Sequence, residues 1–128
     1  MIYTISTPVS IDTIEKEIVE KAEEFNFNLF NSYKINRVME EKGCAIVKEI
    51  TIVEFCHPHG VEQALSELPS ISVYLPTKIS FYEIDGFAEL STIGVAAFMD
   101  DHEVDERFKS YMTILFENVK RVMHSWDK

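Results

Sequence analysis

The sequence predicts an α+β fold in which helices lie on one face of a mainly antiparallel sheet. Three features support this prediction: an early helical repeat of apolar residues, a central run of β-branched residues followed by a hairpin, and a long amphipathic segment near the C-terminus. The 128 residues fit a single domain spanning 1–128. Because 46% of the residues are hydrophobic, the chain can build a core without disulfides or metals.

The first strand and the first helix are predicted within residues 2–25. Residues 2–7 (IYTIST) are typical of a short strand, which Pro8 ends. Ser10 can cap the following helix, and Asp12 lies in its first turn, where a negative charge is favourable. Apolar residues then recur at helical spacing and predict one buried face. They are Ile11, Ile14, Ile18, Ala22 and Phe25.

The middle of the chain predicts strands with short helices inserted. Residues 25–35 look extended, and residues 36–41 predict one helical turn ended by Gly43. The strongest strand pattern is "AIVKEITIVEFC", residues 45–56, where Ile and Val dominate. Pro58 then suits the start of a short amphipathic helix, which Pro69 ends. The apolar stripe of that helix is Val61, Ala64, Leu65 and Leu68.

A hairpin is predicted in residues 77–93, because Asp85-Gly86 is a typical type I′ turn pair between two strand-like runs. With a two-residue turn, Ile84 faces Phe87, Tyr82 faces Glu89, and Phe81 faces Leu90. Ile79, Phe81 and Leu90 then share the face toward the core. Ile84, Phe87 and Tyr82 share the opposite face, which is too apolar to be fully solvated, and this predicts a homodimer.

The C-terminal segment, from about Asp101 to Trp126, predicts a long helix. Apolar residues step by three and four along it, and its charges run from acidic to basic, which suits the helix dipole. The helix could also enclose an apolar small molecule against the sheet. The residues predicted to line such a pocket are Phe81, Leu90, Tyr111 and Leu115.

Charge and composition exclude several classes of function. The net charge of −10 repels phosphate backbones and anionic lipid, so neither nucleic-acid nor membrane-surface binding is expected. No apolar run reaches the roughly 18 residues of a membrane span, and the N-terminus lacks the pattern of a signal peptide. A cytoplasmic location with reduced cysteines is therefore predicted. No nucleophile–base–acid set and no phosphate loop can be assembled, so nothing in the sequence argues for an enzyme.

Residues 53–90 resemble the domain of unknown function 302 family. The matching features are a strand ending near a Cys and a Pro, a short helix, a Leu-Pro before a strand, and an Asp-Gly hairpin. Residues 3–18 look like the family's opening strand and helix. The resemblance implies a β-α-β-β-β-β-α layout, a tendency to form homodimers, and no settled activity. Many members carry Cys after Leu-Pro, but Thr77 stands here, so any function that needs both thiols is in doubt.

Cys56-His57-Pro58-His59 is the one local motif whose residue types suit a metal site or a reactive thiol. Cys56, His57 and His59 are ligand types for zinc, although neighbouring strand residues point to opposite faces. In that case His102, His124, an acidic residue or a second subunit would complete the site. Alternatively, Cys56 near a helix N-terminus is a reactive thiolate or an anion site. The simplest interpretation is a turn in which Cys56 packs as a small hydrophobe.

Overall fold

A computed structural model describes residues 1–94 and 96–127. The strands are β1 (Ile2–Thr7), β2 (Asn28–Lys34), β3 (Thr51–Cys56), β4 (Thr77–Ile84) and β5 (Phe87–Ile93). The helices are α1 (Ile11–Glu23), α2 (Ile35–Glu41), α3 (Pro58–Glu67), α4 (Ala96–Met99) and α5 (Glu106–Met123). Two 3₁₀ turns, Pro69–Tyr74 and His124–Trp126, follow α3 and α5. This architecture confirms the predicted α+β class with its long C-terminal helix.

The five strands form one antiparallel sheet in the order β1-β5-β4-β3-β2. The hairpin prediction is confirmed, because Ile84 pairs with Phe87 and Phe81 pairs with Leu90. Asp85 and Gly86 both have positive φ, 50° and 85°, as a type I′ turn requires. The two edges of the sheet are therefore the first strand and β2.

The main core lies between one face of the sheet and helices α1 and α5. Ser10 starts α1 as predicted, because its side chain accepts a hydrogen bond from the backbone N–H of Thr13 at 3.1 Å. The sheet contributes Val53, Phe55, Ile79, Phe81, Ala88 and Leu90. The two helices contribute Ile14, Ile18, Ala22, Phe108, Met112, Leu115, Val119 and Val122. Along β4 the alternate residues on the other face are only half-buried, so that face is partly open to solvent.

Helix α5 begins five residues later than the sequence analysis predicts. Its N-cap is Asp105, whose carboxylate accepts a hydrogen bond from the N–H of Phe108 at 2.8 Å. The carboxylate of Asp101 instead accepts hydrogen bonds from the Tyr74 hydroxyl and from the N–H of Glu103. Asp101 therefore belongs to a turn. Asp105, the last aspartate of the acidic stretch, caps the helix.

The strand predicted over residues 45–56 is shortened to Thr51–Cys56. Residues 44–50 form a loop in which Val47 is fully exposed. The Asn36 side chain accepts a hydrogen bond from the N–H of Ile50 at 3.1 Å, which directs the chain into β3. The pairing of β2 with β3 ends at Lys34 and Thr51, so the earlier β-branched residues have no strand to pair with. In the described part of the chain, no helix combines the length and the hydropathy that a membrane span requires.

Candidate functional site

The Cys-His-Pro-His motif occupies the junction between β3 and α3. Cys56 is the last residue of the strand, and Pro58 is the first residue of the helix. Proline is well tolerated there, because the first N–H groups of a helix have no partner within it. The three ligand-type side chains of the motif have different surroundings, so each is described separately.

His57 is held in a structural role. Its Nε2 donates a hydrogen bond to the carbonyl oxygen of Phe25 at 2.9 Å, and its ring stacks on Phe27 with centroids 4.4 Å apart. The loop between α1 and β2 is thereby attached to the end of β3. One ring nitrogen of His57 is committed to this contact.

His59 points into solvent, and its side chain is 98% exposed. Its Nδ1 lies 3.9 Å from the Glu62 carboxylate, which is too far for a hydrogen bond. Across residues 1–94 and 96–127, no three His, Cys, Asp or Glu side chains lie close enough together to hold a metal ion. Cys56, His57 and His59 therefore do not converge within one chain, and a zinc site here would need ligands from outside it.

Cys56 is buried, with only 3% of its surface exposed. Burial raises the pKa of the Cys56 thiol, and a hydrogen bond from the backbone of His57 opposes this rise only in part. The thiol is therefore protonated at neutral pH. Because the thiolate is the nucleophilic form, these surroundings argue against a reactive cysteine.

Cys56 lines an open groove of about 640 Å³. The groove lies between α3, the 3₁₀ turn after it, and the edge of β2. Its walls are formed by Phe30, Cys56, Pro58, His59, Val61, Glu62, Leu65, Ser72, Leu75 and Pro76. Phe30 reaches the groove because the register of β2 shifts between Leu29 and Asn31, which leaves Phe30 unpaired and 57% exposed.

The volume and composition of this groove fall within the range of known small-molecule sites. Most of its walls are apolar, and the polar groups are the thiol of Cys56, the hydroxyl of Ser72, and His59 with Glu62. Small-molecule sites typically occupy about 300–1,000 Å³ and combine apolar walls with a few polar groups. Within the part of the chain that the structure describes, the lining includes one carboxylate and neither lysine nor arginine.

A second, smaller cavity of about 200 Å³ lies between α3 and α5. Tyr111 covers its inner end and packs on Gly60, so closely that a Cβ at Gly60 would lie 2.5 Å from the phenol oxygen. The Tyr111 hydroxyl is buried and has no hydrogen-bond partner among the described residues. Burial raises the pKa of the Tyr111 phenol, and the nearby Cys56 thiol adds to the rise.

The pocket predicted between the sheet and α5 involves residues that the structure separates. Phe81, Leu90 and Leu115 are 1%, 0% and 2% exposed and belong to the main core. Tyr111 lies at the edge of that core and lines the smaller cavity instead. A ligand held by all four would require the packed core to open.

One residue of the first strand and two residues near the C-terminus form a chain of hydrogen bonds that the sequence analysis missed. The Tyr3 hydroxyl lies 2.7 Å from His124 Nε2, and His124 Nδ1 lies 2.7 Å from the Asp127 carboxylate. This orientation of a hydroxyl, an imidazole and a carboxylate is one that general-base sites use. It lies on the surface, where it joins the first strand to the C-terminal turn, and it occupies the His124 nitrogens that were predicted to be available for zinc.

The sequence analysis identified Cys56 and His59 but not the rest of the groove. Ser72 lies in the 3₁₀ turn, which has no apolar repeat to reveal it, and Leu75 and Pro76 directly follow that turn. Phe30 reaches it through an irregular strand pairing. One sequence feature could have indicated the groove: the apolar stripe of α3, whose residues Val61 and Leu65 line it.

Comparisons with known proteins agree on one family. Residues 3–125 match the family described as "Domain of unknown function DUF302". Among solved structures, the chain is similar to an uncharacterized conserved DUF302 protein from Bacillus stearothermophilus. The identity is 16%, the TM-score is 0.84, and the alignment covers 98% of this chain and 97% of that one. No curated protein matches the sequence.

Proposed function

The chain belongs to the domain of unknown function DUF302 family, a membership that assigns no activity, and from the groove beside Cys56 we propose that it is a non-catalytic binding protein for an apolar small molecule. The observation that carries the proposal is the groove of about 640 Å³ with its mainly apolar walls. The buried, protonated thiol of Cys56 fits this proposal, because it serves as a weakly polar part of the wall and not as a nucleophile.

The size of the groove favours a small molecule over a second protein. Ten residues line it, whereas a stable protein interface uses about 20–30 residues on each side. Six of these ten residues belong to α3 and the 3₁₀ turn after it, which pack against each other, and Phe30, Cys56, Leu75 and Pro76 complete the walls. Such a local, preformed site is typical of ligand binding.

Titration with Nile red, a neutral apolar dye, tests this proposal. We expect saturable binding of one dye per chain to the wild type, and its loss in Leu65→Glu, because a carboxylate would then replace an apolar wall. Ile114→Glu is the matched control, since Ile114 is an apolar residue of α5 that is 62% exposed. Absence of saturable binding, or equal loss in both variants, would contradict the proposal. Native mass spectrometry of freshly purified protein would show whether a ligand co-purifies.

A metal- or thiol-centred site is the second candidate, because Cys56 and His59 line the same groove. A second subunit or a bound molecule would have to supply further zinc ligands. Elemental analysis of protein purified without chelator, beside Cys56→Ser, tests this candidate. Zinc in the wild type that is lost in Cys56→Ser supports it, and trace zinc in both contradicts it.

The cytoplasmic location stays a prediction.

We also propose that the protein is a homodimer that pairs through the exposed sheet face. Phe87 and Ile93 are 52% and 56% exposed, and both lie on the face of β5 that points away from the main core. Ile2, which is 73% exposed, pairs with Ile93 and extends this surface to the sheet edge.

Sedimentation equilibrium tests the dimer. We expect Phe87→Glu to be a monomer at a concentration where the wild type and Ile114→Glu are dimers. The carboxylate that Phe87→Glu introduces would be buried in the proposed interface and would oppose association, whereas the carboxylate of Ile114→Glu would lie on α5, outside that interface. A monomeric wild type at high micromolar concentration, or a dimeric Phe87→Glu, would overturn this proposal.

A further inference from the structure

The charges around the groove narrow the class of ligand. We propose that the groove beside Cys56 binds a soluble single-chain amphiphile with a cationic head group, whose apolar chain lies along Leu65 and Phe30 and whose head group lies beside Glu62. This inference rests on the proposed binding function and adds the charge of the ligand to it.

The position of Glu62 supports the assignment of the head group. Its carboxylate is the only acidic group in the groove lining and belongs to the first half of α3. The side chain is 77% exposed, and its His59 neighbour is beyond hydrogen-bond distance at 3.9 Å. The carboxylate faces only the His59 imidazole at this distance, and its exposed side can pair with a ligand at the rim while the chain of that ligand contacts the apolar walls.

The charge of the whole protein disfavours the opposite head group. The net charge is −10, and among residues 1–94 and 96–127 neither lysine nor arginine lines the groove to receive an anion. A fatty-acid carboxylate would therefore approach against the long-range field, and the basic side chain described in the lining is His59, which already faces Glu62. A cation gains from the same field and from Glu62.

Three surfactants with the same decyl chain test the inference below their critical micelle concentrations. They are decyltrimethylammonium, decyl maltoside and decyl sulfate, each measured by isothermal titration calorimetry. We expect the cation to bind roughly two- to fivefold more tightly than the neutral maltoside, the range that an exposed ion pair allows, and the sulfate to bind most weakly. Added salt should reduce the difference.

Glu62→Gln and Glu67→Gln separate the local effect from the effect of net charge. Both remove one carboxylate from α3, but Glu67 lines the smaller cavity and not the groove. We expect Glu62→Gln to abolish the preference for the cation over the maltoside and Glu67→Gln to retain it. Equal binding of the three surfactants, or equal effects of the two variants, would overturn the inference and leave apolar binding intact. If no surfactant binds, the proposed function itself fails.

Discussion

Helices α5 and α3 both carry an apolar stripe, but only the stripe of α5 is covered. Along α5, Leu115, Val119 and Val122 are at most 2% exposed, because the helix lies across the sheet. Along α3, Val61 is the only buried residue, and Leu65 is half-buried. Hydrophobic periodicity therefore identifies the side of a helix that avoids water, but it does not show whether another element covers that side. Where cover is incomplete, the apolar surface is available for a ligand.

The first prediction compares how much a core residue of α5 and a groove residue of α3 contribute to the free energy of unfolding. Leu115→Ala in α5 should reduce the free energy of unfolding by about 2–5 kcal/mol, because it leaves a cavity in a packed core. Leu65→Ala should cost about 1 kcal/mol, because its side chain already contacts solvent in the groove. Urea unfolding with unchanged m-values measures both. Equal costs for the two variants would show that α3 is packed as tightly as α5.

Most of the fold could be predicted because local rules and tertiary packing agree. Ser10 caps α1, the Asp85-Gly86 turn sets the hairpin register, and the alternation along β4 separates a buried face from an open one. The boundary of α5 could not be predicted, because any of several acidic residues could have been the cap. Asp105 became the cap while Asp101 bonds Tyr74, a contact between residues 27 positions apart.

The next largest effect concerns the contact between α3 and α5. Gly60→Ala should destabilise the protein by about 1–3 kcal/mol, because the added methyl would overlap the Tyr111 ring. In a Tyr111→Ala background the same change should be nearly neutral, since the overlap is gone and alanine favours helix. A double-mutant cycle by urea unfolding measures the coupling. Equal costs of Gly60→Ala in the two backgrounds would show that the Tyr111 ring is not the cause of the destabilisation.

A smaller effect is expected from the Tyr111 hydroxyl alone. Tyr111→Phe should leave the free energy of unfolding unchanged or raise it by up to about 1 kcal/mol, because the buried hydroxyl has no partner among the described residues. The ring itself, which packs against Phe108 and His57, is retained. Thermal and urea unfolding would detect the change. A loss of more than about 1 kcal/mol would instead indicate a hydrogen bond from a bound water or ligand.

The candidate site was less predictable than the fold, and the reason is geometric. The Cys-His-Pro-His motif indicates chemistry only if its side chains converge, but His57 bonds Phe25 and His59 points to solvent. The groove depends on the unpaired Phe30 of β2 and on a 3₁₀ turn, and neither has a periodic pattern in sequence. The ligand-type residues of the motif could therefore be identified from the sequence, whereas the positions of their side chains required the tertiary structure.

The last prediction concerns the reaction rates of the two thiols. Cys44 is exposed and Cys56 is buried, so Cys44→Ser and Cys56→Ser each leave one thiol in a known environment. With a thiol-reactive disulfide reagent at neutral pH, Cys56→Ser should react rapidly at Cys44, and Cys44→Ser should react slowly until denaturant is added. Because burial raises the pKa of Cys56, its rate should still be rising with pH beyond the ordinary thiol value of about 8.5. Rapid reaction of Cys56 at neutral pH would show a thiolate at the base of the groove, and the groove would then be a chemical site as well as an apolar one.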